Sequence, residues 1–198
     1  MANKFNKKRI KIHIGLLPNI YLANLKLADA KNLRNDLNQI NKELNCNIYY
    51  TSYAVKSFIK NSLNFYSNEF HFGVYKFSSK QIIGMFSIVS IDYRKKICEI
   101  GYWIAKKYRK KGYGKDALAL LIYFIFKVLK FNKIYAVLDS DNIYSLNLLL
   151  RNNFKKTINN NKYIPQNKIL YKIANPNKIK AYVLLKKDFL FNDKIKIE

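Results

Sequence analysis

Two segments in the first third of the chain place apolar residues at spacings of three and four, which is the period of an amphipathic helix. They are Ala28–Leu44 and Tyr53–Phe65. Asp29 lies near the start of the first segment, where a carboxylate suits the helix dipole. Ile20–Lys26 has the pattern of a short strand, whereas residues 1–18 are basic and show little periodicity. The pattern predicts an N-terminal extension, a strand and two helices.

The period then changes to that of strands. Phe70–Phe77, Gln81–Ile91 and Ile97–Ile104 are apolar and separated by short polar turns, the last of them Asp92–Lys96. Such segments read as consecutive strands, and we predict that these three form an antiparallel meander.

The second half of the chain alternates between helix and strand patterns. The helices are predicted at 113–130 and 141–151, and the strands at 134–138 and 180–186. The first helix is apolar almost all round, which is typical of a buried helix. Asp141 or Asn142 is a plausible N-cap of the second. The segment Lys155–Lys178, between the second of these helices and the last strand, is polar and rich in asparagine.

The predicted order is therefore β, α, α, three meander strands, α, β, α, β. This order favours an α/β (α+β) fold with one mixed, mostly antiparallel sheet flanked by helices. We expect a single domain over residues 19–190, preceded by the extension and followed by a tail over residues 191–198.

Composition narrows the class of protein. The chain has 198 residues, 49% of them hydrophobic, which is enough for a substantial core. It contains no run of about 18 uncharged apolar residues and no secretion signal, so we expect a cytoplasmic protein without a membrane span. Cys46 and Cys98 lack the spacing of a metal or disulfide site, which suits a reducing compartment, and no metal site is expected.

The charge is strongly basic: 37 basic minus 12 acidic residues gives +25. One interpretation is an anionic partner, such as RNA, a ribosome or a phosphorylated ligand. The other, which we favour, is compositional bias, because lysine, asparagine, isoleucine and tyrosine are all abundant. Arginine, the better reader of phosphate and guanine, is scarce. The positive field attracts anions in either case.

A basic turn with glycines, Arg109–Gly114, separates a predicted strand from a predicted helix. Unpaired amides at a helix N-terminus, close backbone approach at glycine and neighbouring cations together form a phosphate or pyrophosphate cradle. The alternative is a tight turn with solvated lysines. The turn is neither a Walker loop nor a dinucleotide fingerprint, because the required residues are missing.

The turn resembles the [RQ]-x-x-G-x-[GA] signature of the GNAT acetyltransferases. The resemblance continues along the chain in the family's order. It includes "IIG" at 82–84, "EIGYWI" at 99–104, "KYRKKGYGKDAL" at 107–118, "DSDNIYSLNLLLRNNF" at 139–154 and "YVLLKKDF" at 182–189. "EIGYWI" and "DNIYS" are most similar to the branch with the Rim-type ribosomal-protein N-terminal acetyltransferases. The predicted element order is also that of this family.

The resemblance implies acetyl-CoA as co-substrate and a central strand pair that splays to admit its pantetheine arm. The pyrophosphate would be bound by the backbone amides of Arg109, Lys110, Lys111, Gly112, Tyr113, Gly114 and Lys115. The arm would have backbone partners near Trp103, Ile104 and Ala105. One strand amide would polarise the thioester carbonyl.

Glu99 is the candidate general base, because an amine acceptor must lose a proton before it attacks. Strand alternation places Glu99 on one face with Gly101 and Trp103, and Cys98 on the other face. Both faces are largely apolar, which predicts a central strand and a desolvated carboxylate with a raised pKa. The alternative is a strand-end carboxylate paired with a lysine. Since Cys98 faces away, we expect direct attack rather than an acetyl-cysteine route.

The last helix carries Asn142 and Ser145. Many family members have a tyrosine, the acid for the leaving thiolate, where this chain has Leu149, and a glycine where it has Asn153. The resemblance implies that Ser145 donates to the thiolate or orients the cofactor. The alternative is a surface hydroxyl bonded to its own backbone. Asn142 is either an N-cap, a cofactor contact or both.

The acceptor stays open between a protein N-terminus, possibly ribosomal, and a small amine such as an amino sugar. We expect it to be bound by the first two helices and the 155–178 loop, in a monomer or homodimer. A different class is a non-catalytic domain that binds acyl-CoA or RNA. His13 and His71 lack a nearby Ser or Asp pattern and are predicted to be structural or solvated.

Overall fold

A computed structural model describes residues 11–14, 19–43, 48–63, 69–157, 178–190 and 195–197. These residues form one nine-stranded sheet in the order β7-β8-β6-β5-β4-β3-β2-β1-β9. The strands are β1 Lys11–Ile14, β2 Ile20–Asn24, β3 Phe70–Lys76, β4 Ile82–Asp92, β5 Ile97–Ile104, β6 Lys133–Asp139, β7 Lys155–Lys156, β8 Ile179–Leu185 and β9 Ile195–Ile197. The predicted mixed sheet is confirmed, because every pairing is antiparallel except that of β5 with β6.

Helices cover both faces of the sheet. They are α1 Ala30–Glu43, α2 Ser52–Ser62, α3 Tyr113–Tyr123 and α4 Ile143–Leu150. One core, on the α3 face, contains Leu121, Ile83 and Ile100. A second core, on the α1–α2 face, contains Leu33, Ile59 and Tyr75. The cores lie on opposite sides of β5, so this strand is buried on both faces as predicted.

The helix predicted over 113–130 is confirmed as a buried element with one irregularity. It begins at Tyr113 and changes at Phe124–Val128 to a π-helical turn. Phe124, Ile125 and Phe126 are all fully buried there. No helix in the described part of the chain is long and apolar enough to cross a bilayer.

Two strands lie where the sequence predicts an extension and a tail. β1, within residues 1–18, pairs with β2 on one side and with β9, within residues 191–198, on the other. Ile12 is fully buried and Ile195 nearly so. Strands of this length are too short to produce a readable alternation, and their pairing joins the two ends of the chain. The predicted end of α2 at Phe65 and most of the 155–178 segment lie outside the described residues.

Asp29 connects the entry of α1 to the sheet. Its carboxylate accepts hydrogen bonds from the Tyr75 hydroxyl at 2.5 Å and from the Lys26 amide at 2.8 Å. Tyr75 is 1% exposed and also stacks on Tyr21. The carboxylate that the sequence assigns to the helix dipole therefore also satisfies a buried phenol on β3.

We expect Asp29→Ala to lower the free energy of unfolding by about 2–4 kcal/mol, because it leaves the Tyr75 hydroxyl and the Lys26 amide with fewer partners. Chemical denaturation measures the change. The double variant with Tyr75→Phe is the control, since removal of both partners should cost less than the sum of the single changes. Additive costs would contradict a direct Asp29–Tyr75 interaction.

Candidate functional site

A gap opens between the two central strands. β5 pairs with β6 only from Ile97 to Ile100, although β5 continues to Ile104. The predicted splay of the central strand pair is therefore confirmed. Beyond Ile100, the backbone of β5 presents one edge to β4 and the other edge to the gap.

The register decides which backbone groups face this gap. The Ala105 amide donates to the Ile83 carbonyl of β4 at 2.9 Å, and the Ala105 carbonyl accepts from the Tyr108 amide at 2.8 Å. Because bonding edges alternate along a strand, Trp103 also bonds towards β4, whereas the backbones of Tyr102 and Ile104 face the gap. Of the three residues predicted to contact the arm, only Ile104 has its backbone on the gap side. Ala105 and Trp103 direct their backbone groups elsewhere, since β4 uses that edge.

The turn before α3 has the geometry of an anion cradle. Gly112 is the residue before the helix and has φ of 83°, in the left-handed region that favours glycine. The Arg109 amide donates to Lys106 and the Lys115 amide donates to Gly112. Between them, the amides of residues 110–114 make no backbone hydrogen bond within the described chain. A run of free amides at a helix N-terminus fits a pyrophosphate.

Arg109 braces this turn from the side. Its Nε donates to the Ile104 carbonyl at 2.9 Å and its Nη1 to the Glu43 carboxylate at 2.8 Å. Lys106 also lies 3.8 Å from Glu43. The guanidinium therefore ties the end of β5 to the end of α1. If the Arg109 backbone amide binds the phosphate as predicted, it does so while the side chain makes these two contacts.

Lysines around the cradle differ in their surroundings. Lys110 has φ of 61° and its Nζ lies 5.3 Å from the centre of the exposed Tyr144 ring, at the start of α4. Lys111 lies 6.0 Å from the Tyr108 ring. Lys110 thus spans the mouth of the gap from the α3 side to the α4 side.

Glu99 is buried beside the gap. It is 1% exposed, and burial raises its pKa from 4.5 to about 8. Its Oε2 atom makes no hydrogen bond, and no lysine in the described chain forms an ion pair with it. Burial raises the pKa in the predicted direction, and the lysines of the preceding turn, one of which pairs with Asp92, form no ion pair with Glu99. A carboxylate with this pKa can accept a proton once the pH approaches or exceeds about 8.

The two faces of β5 keep the carboxylate and the thiol apart. Cys98 packs in the α3-side core, and burial raises the pKa of its thiol. Trp103 packs against the opposite core, and Glu99 shares its face by alternation. A β-bulge at Ser90 of β4 lies opposite Cys98 and Glu99. Bulges re-aim side chains and are frequent beside functional sites.

The first turn of α4 is fixed from two directions. The Asn142 side chain accepts from the Ser145 amide at 3.1 Å, so Asn142 is the N-cap. Asp141, the other candidate, pairs instead with Lys178 at 2.6 Å. The Ser145 carbonyl accepts from the Tyr102 hydroxyl of β5 at 3.4 Å. Ser145 therefore lies against the gap, on the side opposite Glu99.

The two departures from the family's pattern have structural explanations. Leu149 is fully buried in the α3-side core, where an apolar side chain is favoured. Asn153 has φ of 63°, a conformation that asparagine tolerates better than most residues. Asn153 thus keeps the left-handed turn that glycine would otherwise make.

His71, which the sequence predicts to be structural or solvated, has two side-chain partners that lie near it only in the folded sheet. Its Nδ1 lies 2.8 Å from the Ser87 hydroxyl and its Nε2 lies 2.9 Å from the Glu69 carboxylate. His71 and Ser87 are register partners on β3 and β4. The hairpin that joins the two strands is centred on Ser79, which places His71 opposite Ser87. This register could therefore have been inferred from the position of the turn in the sequence. His13 is largely buried, on β1, between β2 and β9.

Known proteins with solved structures share the fold. Over 93% of this chain and 99% of the other, the fold matches a Vibrio cholerae protein described as a "putative ribosomal-protein-serine acetyltransferase", with 23% identity and a TM-score of 0.68. A spermidine N-acetyltransferase from Vibrio cholerae, in complex with CoA and spermine, has 17% identity and a TM-score of 0.70, with coverages of 87% and 99%. The microcin C7 self-immunity acetyltransferase MccE has 21% identity and a TM-score of 0.66, with coverages of 84% and 92%.

Comparison of the sequence with protein-family models identifies the family. No curated protein matches the sequence significantly. The family model of the acetyltransferase (GNAT) domain matches residues 19–155, which include the gap, the cradle, Glu99 and α4. The chain therefore belongs to the GNAT acetyltransferase family.

Proposed function

We propose that this protein is an acetyl-CoA-dependent N-acetyltransferase that acts on a primary amine by direct attack within a ternary complex. The observation that carries the proposal is the unpaired carboxylate of Glu99, buried beside the gap in β5, with a pKa of about 8. A non-catalytic domain would have no use for a carboxylate kept unpaired at such a cost in desolvation.

The residues present fit acetyl-CoA. The free amides of residues 110–114 suit its pyrophosphate. The gap-facing backbone of Tyr102 and the amide of Ile104, whose carbonyl is bound by Arg109, suit an amide-bearing arm. The positive residues around the turn add long-range attraction for the phosphates. Acetyl-CoA supplies the acetyl group as a reactive thioester.

Each protein group then has a defined task. Glu99 accepts the proton that the ammonium group of the acceptor must lose, directly or through a water molecule. The amine nitrogen forms the new C–N bond as the C–S bond of the thioester breaks. A gap-facing amide of β5 polarises the thioester carbonyl. The proton accepted by Glu99 is released to solvent, and the nitrogen loses a second proton once the C–N bond has formed. The leaving thiolate takes up the equivalent of this second proton, so charge and protons balance.

Ser145 is our candidate for the group that supplies this proton or orients the thiol. We expect Ser145→Ala to lower kcat about tenfold or more and to leave the affinity for acetyl-CoA nearly unchanged, since its amide and carbonyl contacts remain. Steady-state kinetics beside calorimetry measure both. Asn147→Ala, on the exposed side of the same helix, is the matched control. Equal kcat values for Ser145→Ala and the control would remove Ser145 from the mechanism.

A protein N-terminus is the acceptor we favour, because the Rim-like motifs and the fold similarity to the Vibrio cholerae protein above agree. A small amine is the second candidate, supported by the fold shared with the spermidine enzyme. The positive field of the chain disfavours polyamines, which carry the same sign of charge.

Calorimetry with acetyl-CoA, followed by transfer assays with peptides and small amines, tests the proposal. We expect binding of acetyl-CoA and acetylation of at least one amine class. A folded protein that binds no acetyl-CoA, but binds RNA in a strongly salt-dependent way, would overturn it in favour of an RNA-binding domain.

A further inference from the structure

Three turns meet at one end of the sheet, at the opposite end of β5 from the cradle. They comprise residues 92–96 between β4 and β5, 129–133 at the start of β6, and 185–190 after β8. The strands β4, β5, β6 and β8 are neighbours in the sheet. The Asn132 amide donates to the Lys96 carbonyl at 2.8 Å, and the Lys186 amide donates to the Asn132 carbonyl at 3.0 Å. These bonds join the turns into one surface, which we call the basic end.

The basic end carries more positive charge than the composition of the chain explains. It contains one arginine and six lysines against Asp92 and Asp188, which leaves a charge of +5. At the average charge density of the chain, +25 over 198 residues, a segment of this length would carry about +2. Asp92 pairs with Lys95, and Asp188 pairs with Lys155 outside the basic end. Within the described chain, no carboxylate forms an ion pair with Arg94, Lys96, Lys130 or Lys187.

Acetyl-CoA does not account for this charge, because the cradle lies elsewhere. The cradle follows Ile104 at the C-terminal end of β5, whereas the basic end precedes Ile97 at its N-terminal end. A strand rises about 3.3 Å per residue, so the length of β5 separates the two by about 23 Å. This distance exceeds the Debye length, which is about 8 Å at physiological ionic strength. A second anionic ligand therefore accounts best for the charge.

A groove and an exposed aromatic ring lie among these cations. The groove has a volume of about 710 Å³ and is lined by Asn132, Lys133, Leu185, Lys186, Lys187 and Phe189. Tyr93, in the first turn, is 51% exposed, and its ring meets that of Phe131 edge to face, with 5.7 Å between the ring centres. Cations that follow a phosphate backbone, together with rings on which bases stack, are the features with which proteins bind single strands.

We propose that the basic end binds single-stranded nucleic acid, with phosphates at the lysines of the three turns and a base against Tyr93. The inference goes beyond the proposed function and does not depend on it. Lysine binds phosphate as a point charge, without the bidentate geometry with which arginine reads guanine, so binding is independent of base sequence. RNA and DNA of one sequence should bind equally, because neither contact uses the 2′-hydroxyl.

The exposed ring favours a nucleic acid over other anionic partners. An anionic bilayer or an acidic protein would neutralise the lysines equally well, but neither has bases to stack on Tyr93. A groove between turns also accommodates a chain better than it does a flat surface. Because the cradle lies at the other end of β5, bound nucleic acid leaves it open, and the protein can bind acetyl-CoA at the same time.

A triple variant tests the lysines and the arginine of the basic end. Arg94→Gln, Lys130→Gln and Lys187→Gln remove one exposed cation from each turn. The probe is a short single-stranded RNA, and fluorescence anisotropy measures its Kd at several salt concentrations. We expect Kd to rise about tenfold or more, and the slope of log K against log[salt] to become shallower by about 2, since each phosphate contact on a single strand contributes about 0.7.

A matched control separates the basic end from the overall charge of the chain. Lys31→Gln, Lys56→Gln and Lys60→Gln remove three exposed lysines from α1 and α2 and lower the net charge by the same amount. We expect the control to keep the RNA affinity of the wild type within about threefold. Equal losses in the two triple variants would overturn the proposal, as would a wild type that binds no RNA at physiological salt.

Tyr93→Leu tests the stacked base, since leucine keeps an apolar contact for Phe131 and removes the ring. The second probe is inorganic polyphosphate, which has the charge of a nucleic acid without its bases. We expect Kd for the RNA to rise about fivefold or more, because stacking on an aromatic side chain is lost, and Kd for polyphosphate to change less than about twofold. Equal changes for the two probes, or an unchanged Kd for the RNA, would show that the basic end attracts any polyanion.

Competition with acetyl-CoA locates the site. We expect saturating acetyl-CoA to leave Kd for the RNA unchanged, and the triple variant of the basic end to keep the wild-type Kd for acetyl-CoA. Displacement of the RNA by acetyl-CoA would place the RNA at the cradle and overturn the assignment. A protein that binds the RNA through the basic end but binds no acetyl-CoA would overturn the proposed function and leave this inference standing, so the two fail separately.

Discussion

Glu99→Gln should lower kcat by about 100-fold or more and leave the Kd for acetyl-CoA unchanged, because a positioned general base contributes about 10²–10⁴ in rate. Glutamine preserves the volume and the strand position of Glu99 and removes only the basic oxygen. Calorimetry and steady-state kinetics on the same preparation separate binding from turnover. Normal acetylation by the variant across the pH range would contradict the assignment of Glu99 as base.

The pH dependence gives a second measure of the same residue. Since the pKa of Glu99 is about 8, the carboxyl is protonated and inactive as a base below that pH. We expect kcat/KM to rise with pH and level off above about 8. The acceptor amine titrates nearby, at about 7.7–8.0 for a peptide N-terminus. The difference between the wild-type and Glu99→Gln profiles isolates the carboxylate.

The pH dependence of stability should be opposite to that of activity: activity rises with pH, whereas Glu99 destabilises the fold more as pH rises. The folded protein binds the Glu99 proton more tightly than the unfolded chain does, because its pKa rises on folding from 4.5 to about 8. The unfavourable contribution of Glu99 is therefore absent below the unfolded pKa and grows as pH rises through this window. We expect Glu99→Gln to melt at a higher temperature than wild type at pH 8, with the difference vanishing near pH 4. A variant that melts lower at pH 8 would indicate that Glu99 has a stabilising partner.

Gly112→Trp should raise the Kd for acetyl-CoA by more than tenfold, because an indole at this turn would occupy the space in front of the free amides. A Cβ at Gly112 meets no atom of the described residues within 4 Å, so the start of the side chain has room. The backbone there has φ of 83°, however, and this left-handed conformation is destabilising for any residue with a Cβ atom.

Gly112→Ala is the matched control, since alanine has the same backbone strain without the bulk. Both variants should lose a similar amount of stability, about 1–2 kcal/mol, and only the tryptophan variant should lose most of its acetyl-CoA affinity. Thermal melting and calorimetry measure the two quantities. Equal affinity in the two variants would indicate that the pyrophosphate lies away from Gly112.

Local sequence was sufficient for much of the fold. Apolar residues at spacings of three and four mark Leu33 and Ile59 as core residues of α1 and α2, and strand alternation separates Cys98 from Glu99. The left-handed turn at Gly112 follows from residue type, because glycine has no Cβ to clash. The short strands β1 and β9 at one end of the sheet were missed, since their stability depends on pairing between distant parts of the chain.

The sequence by itself determined the order of the elements, the family, the basic turn and the face of β5 that carries Glu99, because each depends on residues near one another in the chain. The tertiary structure alone decided where β5 leaves β6, what Arg109 contacts, and that His71 meets Ser87 across the β3–β4 pairing. These depend on strand register and on packing between segments many residues apart. Periodicity reports the face of an element, but only the assembled sheet determines which side chains meet across it.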